Sequence, residues 1–275
     1  MKIGALERFS AADLGALSRL PATVGWADTE ADWRTILATG LAFGHRNQEG
    51  EIISSGVLFL FDEVATIGKM IVHPDCRGRG LAREVMTACL AARSPTIRHT
   101  TLIATPLGEP VYLRLGFSEI GRIHKLFAPS LPPSPQAGVT SPARLDEARA
   151  LDFEAFGADR GLLLAGRLAQ STASATLRDE HGTPTGFAMV TEAIGFSTIG
   201  PLIAPSLDGA LRLVRALGTP ARLRIDVPAS QPAFVEALQR EGFAQVDFPP
   251  EMSLGGTHAP GNRTKLFALA SQAVG

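Results

Sequence analysis

Cysteine is scarce in this chain, since Cys76 and Cys89 are the only two among 275 residues. They do not form a C-x-x-C pair, so the sequence lacks the pattern of a structural zinc site or of a disulfide framework. We therefore expect two reduced thiols in a cytoplasmic protein, and no bound metal.

An excess of charge of one sign is also missing, because 26 basic residues face 27 acidic ones. Non-specific binding to nucleic acid needs surplus positive charge, so no nucleic-acid partner is expected. No stretch reaches the roughly 18 consecutive apolar residues that cross a bilayer. Glu7, Arg8 and Asp13 interrupt the N-terminal segment, which is therefore unlike a signal peptide. We expect no membrane partner either.

What the chain does contain is a proline-rich segment between two parts of similar size. Five prolines lie within residues 128–142. They preclude a helix or a central strand and favour an extended, semi-rigid connector. The sequence therefore predicts an N-terminal domain over residues 1–127, a linker over 128–142 and a C-terminal domain over 143–275.

The two parts share landmarks in the same order. The tripeptide Thr-Ile-Gly occurs at 66–68 and again at 198–200, and each copy is followed by apolar residues and a proline. A Gly-Phe pair occurs at 116–117 and again at 242–243, each time after a probable short helix. Such parallels favour an internal duplication.

Apolar periodicity and turn residues predict a mixed α/β fold. Asp13 is expected to cap a helix over 14–20, and Thr29 or Asp32 a helix that continues to Leu37. Further helices are predicted over 81–92 and 110–115, and strands over 41–46, 52–61, 65–72, 101–104 and 117–127, with a last strand within 261–270. This order indicates a mostly antiparallel sheet flanked by helices.

The most informative stretch joins the strand that ends at Val72 to the helix that begins near Leu81. Its loop, Arg-Gly-Arg-Gly at 77–80, brings glycines and cations to a helix N-terminus. Exposed main-chain N–H groups and the positive end of the helix dipole suit a pyrophosphate. A P-loop is excluded because Gly-Lys-Ser/Thr is missing, and a dinucleotide fingerprint is excluded because Arg83 replaces the third glycine. The alternative is a turn with solvated arginines.

These residues resemble the GNAT superfamily of acetyltransferases. Its R/Q-x-x-G-x-G/A signature is matched by Arg77, Gly80 and Ala82, after Val72-His73-Pro74. The segment PVYLRLGF at 110–117 is similar to the Y-x-x-L-G-F segment of the family. The resemblance extends over the first 127 residues and implies an N-acetyltransferase that uses acetyl-CoA.

The resemblance also implies site residues. Main-chain groups of Met70, Ile71 and Val72 would bind the pantetheine arm, and Tyr112 would protonate the departing thiolate while a primary amine attacks the thioester directly. A phenol with a pKa of about 10 is protonated near neutral pH and can donate to a thiolate. The alternative for Tyr112 is a half-buried aromatic residue on an amphipathic helix. The pyrophosphate would be held by Arg77, Gly78, Arg79, Gly80, Leu81, Ala82 and Arg83.

The acceptor side is less defined by sequence. The segment GWADTEADW at 25–33 offers Trp26, Asp28 and Glu30 as acceptor-site candidates, while Glu63 is a further acid. Each acid could instead be a helix cap or a surface group, and the amine could lose its proton through water. Trp26 and Trp33 could line an apolar acceptor pocket, although core packing is favoured for both. His73 is expected at a strand end, and His45 has no partner visible in the sequence.

The C-terminal part is expected to be a degenerate second copy. Asp208 stands where the first copy has cations, and an acid there would repel a pyrophosphate. Residues 151–160 resemble the start of the C-terminal domain in bacterial tandem GNAT proteins of the YitH type. Asp159 and Arg160 could belong to an acceptor or domain-contact surface, or form a helix-start cap and ion pair.

Two functions stay open at this level. One is an enzyme that acetylates a small-molecule or larger amino-group acceptor, as a monomer or homodimer. The other is a non-catalytic acyl-CoA sensor.

Overall fold

The computed structural model describes residues 2–275. The N-terminal half begins with a short strand that the sequence did not predict, and then follows the predicted order of helices and strands. Its helices are α1 (Leu14–Leu17), α2 (Glu30–Thr39), α3 (Leu81–Ala91) and α4 (Glu109–Arg114). Its strands are β1 (Glu7–Phe9), β2 (Gly40–Arg46), β3 (Ile52–Phe61), β4 (Val64–Val72), β5 (His99–Ile103) and β6 (Ser118–Ala128).

The C-terminal half repeats this pattern after a short edge strand. Its helices are α5 (Leu145–Phe156), α6 (Gly161–Gln170), α7 (Leu207–Ala216) and α8 (Pro232–Arg240). Its strands are β7 (Val139–Thr140), β8 (Ser171–Arg178), β9 (Pro184–Ala193), β10 (Phe196–Ile203), β11 (Leu223–Pro228), β12 (Ala244–Asp247), β13 (Pro250–Leu254) and β14 (Leu266–Ala268).

The helix boundaries show how local sequence acts. Thr29 caps α2 by accepting a hydrogen bond from Asp32 N, and Thr29 N donates one to the Asp32 carboxylate, as a capping box requires. The helix predicted over 14–20 is shorter than expected, because α1 ends at Leu17 and a 3₁₀ turn follows at Leu20–Val24. Asp13 does not cap α1 with its side chain. It completes a capping box with Ser10 one turn earlier.

The strands form one continuous sheet in which the halves exchange a strand. The order is β1-β2-β3-β4-β5-β13-β6-β11-β10-β9-β8-β7. Strand β13 from the C-terminal half pairs with β5, and β6 from the N-terminal half pairs with β11. The strand predicted over 117–127 is present as β6, but its partners along the sheet come from the C-terminal half. Strand β13 lies between β5 and the first part of β6. From Ile123 on, β6 pairs with β11.

The sheet opens between β4 and β5. These parallel strands pair only where Val64, Ala65 and Thr66 face His99, Thr100 and Thr101. Beyond Thr66, β4 continues to Val72 while paired with β3 on its other side alone. The main chain of residues 67–72 is therefore available along one edge of β4.

The corresponding opening in the C-terminal half is filled by the chain itself. Strands β10 and β11 are parallel and pair only from Ser197 to Ile199. Farther along β10, Leu202 and Ile203 pair with β14 instead. The second copy therefore keeps the split between strands but occupies it with its own backbone.

One apolar core runs across the two halves. Phe61 of β3 meets Phe156 of α5 edge-on, with ring centroids 5.7 Å apart, and both are buried. Around them pack Trp33, Ile71, Leu163 and Val274, again from both halves. Apolar burial of this kind contributes roughly 25 cal/mol per Å², so the shared core holds the halves in a fixed arrangement.

The proline-rich segment lies along the C-terminal half. Leu131 N donates to Thr219 O at 2.8 Å and Ser134 N to Arg215 O at 2.9 Å. Strand β7 then pairs with β8 at the edge of the sheet. An edge position suits a segment whose prolines cannot donate main-chain hydrogen bonds.

Candidate functional site

The loop that follows β4 presents main-chain N–H groups outward. Gly78 and Gly80 have φ of 75° and 82°, backbone conformations that residues with a Cβ rarely adopt. Gly80 is also the N-cap of α3, and no side chain caps that end of the helix. The first N–H groups of α3 therefore have no side-chain acceptor, and together with the positive dipole end they suit an anion.

A buried polar contact supports the start of α3. His45, 1% exposed, contacts Ser54 Oγ through Nδ1 at 2.8 Å and Glu84 Oε2 through Nε2 at 3.1 Å. The structure therefore supplies the partners of His45 that sequence could not show. Because Glu84 lies in the first turn of α3, this contact ties the helix to β2 and β3 behind it.

A cavity of about 840 Å³, here called the loop cavity, extends from this loop along β4 to α4. It brings together nearly all the predicted coenzyme-binding residues. Its walls also include Thr105, Leu107 and Gly108, which no motif had singled out. The predicted residues that line it are Trp26, Met70, Ile71, Val72, Arg77, Gly78, Gly80, Leu81, Ala82, Arg83 and Tyr112, whereas Arg79 is outside this set.

Strand β4 has a bulge beside the cavity. Lys69 has a φ of 53°, which is unusual for a residue with a side chain, and its register against β3 shifts nearby. Ser55 Oγ donates to Lys69 O at 2.8 Å. Lys69 Nζ is held by Asp28 Oδ1 at 2.5 Å and lies 5.7 Å from the Trp26 ring centroid. This arrangement fixes Trp26 and Asp28 next to β4.

Tyr112 on α4 is 6% exposed, and its ring lies 6.1 Å from that of Phe117. Burial raises the pKa of the Tyr112 phenol above its ordinary value, with a smaller contribution from Cys89. The hydroxyl is therefore neutral and can donate a proton throughout the neutral and mildly alkaline range.

A second cavity, of about 400 Å³ and here called the central cavity, lies between the two halves. Trp26, Met70, Thr105 and Tyr112 line both cavities, so the two spaces adjoin at Tyr112. The C-terminal half supplies much of its wall. Charged residues around it are Asp28, Asp32, Lys69, Lys125, Arg167, Glu192, Arg224, Asp226 and Asp247, and the segment 271–274 closes one side.

Some predicted residues lie outside both cavities. Glu30 is exposed and pairs with Arg34 at 2.9 Å, one turn along α2. Glu63 pairs with Arg98, and His73 accepts a hydrogen bond from Asp75 N in a turn. Trp33 is fully buried in the core, as expected. Of the acceptor-site candidates, the structure thus brings Trp26 and Asp28 to the site and leaves Glu30 out.

Arg160 and Asp159 also lie outside the cavities. Arg160 makes a bidentate ion pair with Asp152, and neither side chain is exposed. Its Nη1 also donates to the main-chain oxygens of Val274 and Gly275, at 3.1 and 2.6 Å. Asp159 N donates to Asp62 Oδ2 at 2.9 Å. Asp159 Oδ1 also accepts a hydrogen bond from Gly161 N at 2.9 Å, at the start of α6. The structure therefore shows a helix-start contact, ion pairs and a contact between the halves.

The C-terminal half lacks a comparable anion site after β10. Ser206 caps α7 by accepting from Gly209 N at 3.2 Å, and Asp208 pairs with Arg212 at 3.7 Å. A Cβ on Gly209 would contact Leu177 at 2.7 Å, so this glycine serves packing. The strand split behind it holds β14. The uncapped helix N-terminus and open strand edge of the N-terminal half are therefore not repeated at α7 and β10.

Comparisons with known proteins agree with this geometry. Two family models, each described as an acetyltransferase (GNAT) domain, match residues 33–125 and 148–268. The chain is 32% identical over 272 residues to the uncharacterized N-acetyltransferase YitH of Bacillus subtilis, with 95% of each chain covered.

Solved structures show the same fold. A putative acetyltransferase from Pyrococcus horikoshii superposes with a TM-score of 0.84 at 19% identity, covering 99% of this chain and 96% of that one. A tandem GNAT protein from the clavulanic acid biosynthesis pathway gives a TM-score of 0.67 at 15% identity, covering 93% and 99%.

This chain therefore belongs to the GNAT family of acetyltransferases and contains two GNAT domains in tandem. The predicted family, α/β fold class and acetyltransferase class of enzyme are confirmed. Among residues 2–275, no helix is both long and apolar enough to span a bilayer.

Proposed function

We propose that this chain is an acetyl-CoA-dependent N-acetyltransferase that transfers an acetyl group directly to a primary amine. The observation that carries the proposal is the position of Tyr112. It lines both the loop cavity and the central cavity, where a thioester and an amine could approach each other.

The loop cavity fits coenzyme A. Arg77, Arg83 and the uncapped N-terminus of α3 offer positive charge and N–H donors to a pyrophosphate. The open edge of β4 offers the main chain of 70–72 to a pantetheine arm, which could bind as an added strand. The Lys69 bulge interrupts the edge next to this segment. Acetyl-CoA would supply the activated acetyl group as its thioester.

Tyr112 then acts as the general acid. It gives its phenolic proton to the sulfur as the carbon–sulfur bond breaks and the carbon–nitrogen bond forms. The proton that the amine releases then returns to the Tyr112 phenolate through water. A raised phenol pKa keeps this proton in place until negative charge develops on the sulfur.

Asp28 and Trp26 form the acceptor side. Asp28 Oδ1 is occupied by Lys69, but Asp28 Oδ2 is buried and has no hydrogen-bond donor within residues 2–275. A buried carboxylate oxygen without a donor is costly, so an amine N–H suits this place. Asp28 thus orients the amine, and water removes its proton.

The two halves have different roles in this proposal. Residues 1–127 bind acetyl-CoA, and residues 143–275 form a degenerate copy that helps to enclose the acceptor. The linker over 128–142 joins them along the surface of the C-terminal half.

A thiol-release assay on a panel of amines tests the proposal. Both cysteines are fully buried, and burial raises the pKa of the Cys89 thiol to about 12, so the thiols of the chain itself contribute little signal. We expect amine-dependent release of coenzyme A that Tyr112→Phe lowers on the order of 100-fold or more. Phe153→Leu, at an exposed residue of α5, is the control. Tight coenzyme A binding without turnover of any amine would instead support a sensor.

A further inference from the structure

The central cavity contains polar atoms that lack partners of the opposite kind. Asp28 Oδ2 is a buried acceptor without a donor, and Arg167 Nε is a buried donor without an acceptor among residues 2–275. Both residues line this cavity, and Arg167 is 7% exposed. Because buried polar groups are nearly always satisfied, these atoms point to a ligand with both donors and acceptors.

Most of the cavity's charges neutralise each other in pairs. Lys69 pairs with Asp28 at 2.5 Å. Arg167 Nη1 approaches Asp32 Oδ1 at 3.5 Å, and its Nη2 donates to Thr191 Oγ1 and Ala270 O. Arg224 Nη2 lies 2.7 Å from Asp226 Oδ2, and Arg224 donates its hydrogen bonds to Asp226 Oδ1. Asp226 Oδ2 is therefore paired by charge, although it accepts no hydrogen bond within residues 2–275.

Lys125 is the exception among the cations. It lies on β6 with Asp226 of β11 on one side and Asp247 of β12 on the other in the strand register. Its side chain makes no ion pair or hydrogen bond with any residue of the described part of the chain. Burial, and then Arg224 nearby, lower the pKa of Lys125. Glu192 and Asp247 also line the cavity, but both are exposed, so water screens their interactions with other charges.

We propose that the acceptor is an amine that also carries a carboxylate, with its amine at Asp28 beside Tyr112 and its carboxylate at Lys125. This inference rests on the proposed function and adds the chemical class of the acceptor. Asp28 Oδ2 receives the ammonium N–H, while Lys125 Nζ and Arg167 Nε supply donors for carboxylate oxygens. Lys125 comes from the N-terminal half and Arg167 from the C-terminal half, so both halves are needed to select the acceptor.

The test uses the full chain and a series of ω-amino acids, each compared with the alkylamine of equal length. The span from Asp28 to Lys125 selects one length, at which we expect the amino acid to exceed the alkylamine in kcat/KM by on the order of 10- to 100-fold, as for a charged hydrogen bond. Lys125→Met should abolish this preference, mainly by raising the KM for the amino acid.

Matched variants separate charge from folding. Lys125→Arg keeps the cation and should keep the preference. Lys125→Glu should reverse it in favour of the diamine of the same length. Lys265→Met removes a lysine that pairs with Glu154 outside the cavity and should leave the preference intact.

The two proposals fail in different ways. The carboxylate inference is overturned if the wild type prefers alkylamines, or if Lys125→Met lowers kcat/KM equally for the amino acid and the alkylamine. In either case the proposed acetyltransferase activity is unaffected. If no amine is turned over, the proposed function fails. Calorimetry of the same amino acids with the full chain then decides the inference, because absence of Lys125-dependent binding overturns it.

Discussion

The ring of Tyr112 packs directly on Gly108, so that a methyl group at Gly108 would lie 2.9 Å from the phenolic oxygen. Gly108 precedes α4, and both residues line the loop cavity. The position of the phenol thus depends on the absence of a side chain one helical turn earlier.

Gly108→Ala should therefore lower activity without removing Tyr112. The added methyl group forces the ring to shift, because its nearest neighbours are ring atoms at 2.8–3.0 Å. We expect kcat to fall on the order of 10-fold, less than in Tyr112→Phe, since a misplaced acid retains some function. Gly15→Ala in α1, where a methyl group meets nothing within 4 Å, should leave kcat unchanged. If Gly108→Ala kept the wild-type kcat, the position of the Tyr112 phenol would not matter for the reaction, and the prediction would be wrong.

The pH dependence follows from the raised pKa of Tyr112. Burial keeps the phenol protonated above its ordinary pKa of about 10, so the acid form persists as pH rises. We expect kcat, measured at saturating amine, to show no descending limb between about pH 8 and pH 10. A descending limb in that range that disappears in Tyr112→Phe would show that the phenol ionises too early for this role.

Gly68 of β4 lies against the segment that closes the central cavity. A Cβ on Gly68 would overlap the carbonyl oxygen and Cα of Ala273, so Gly68→Ala must displace residues 271–274 or β4. We expect the KM for the amine to rise on the order of 10-fold, with the affinity for coenzyme A little changed. Gly121→Ala in β6, where a Cβ meets only Glu251 Oε2 at 3.7 Å, is the control. Equal effects on amine and coenzyme would argue for general unfolding instead.

The buried ion pair of Arg160 and Asp152 should be a major contributor to stability. Arg160→Met leaves Asp152 as a buried carboxylate without its partner, which costs about 3–5 kcal/mol in comparable pairs. Urea denaturation should show this decrease in the free energy of unfolding. Arg149→Met breaks an exposed pair with Asp159 and should change little. The prediction fails if the two variants are equally stable.

Local sequence was sufficient for the elements that line the loop cavity. Strand β3 lies at 52–61 as predicted, and α3 begins at Leu81 directly after the glycines. Glycine, proline and cation positions between Val72 and Arg83 are local signals, because they determine how one strand turns into one helix. The loop was therefore predictable.

The strand exchange had no such signal. Strand β13 inserts between β5 and β6, although residues 129–249 separate it from β6 along the chain. Apolar alternation shows that a strand forms and which face it buries, but the partner is chosen by long-range packing. The C-terminal half accordingly supplies a strand that sequence had not assigned to the N-terminal sheet.

The central cavity was hidden for the same reason. Lys125, Arg167 and Asp226 lie on β6, α6 and β11, and only the assembled sheet brings them together. Asp28 was found because it precedes α2 within a short acidic segment. Lys125 could not be found, because an isolated lysine in a strand is indistinguishable from a surface residue.

Calorimetry of acetyl-CoA with the full chain tests the central claim, that the loop after β4 binds the coenzyme. We predict one molecule bound per chain, because Ser206 caps α7 and β14 fills the second strand split. The double change of Arg77 and Arg83 to methionine should weaken binding on the order of 10-fold or more, whereas Arg212→Met in α7 should not. The account would be contradicted by absence of binding or by two molecules bound per chain. It would also be contradicted if replacing Arg77 and Arg83 left the affinity for acetyl-CoA unchanged.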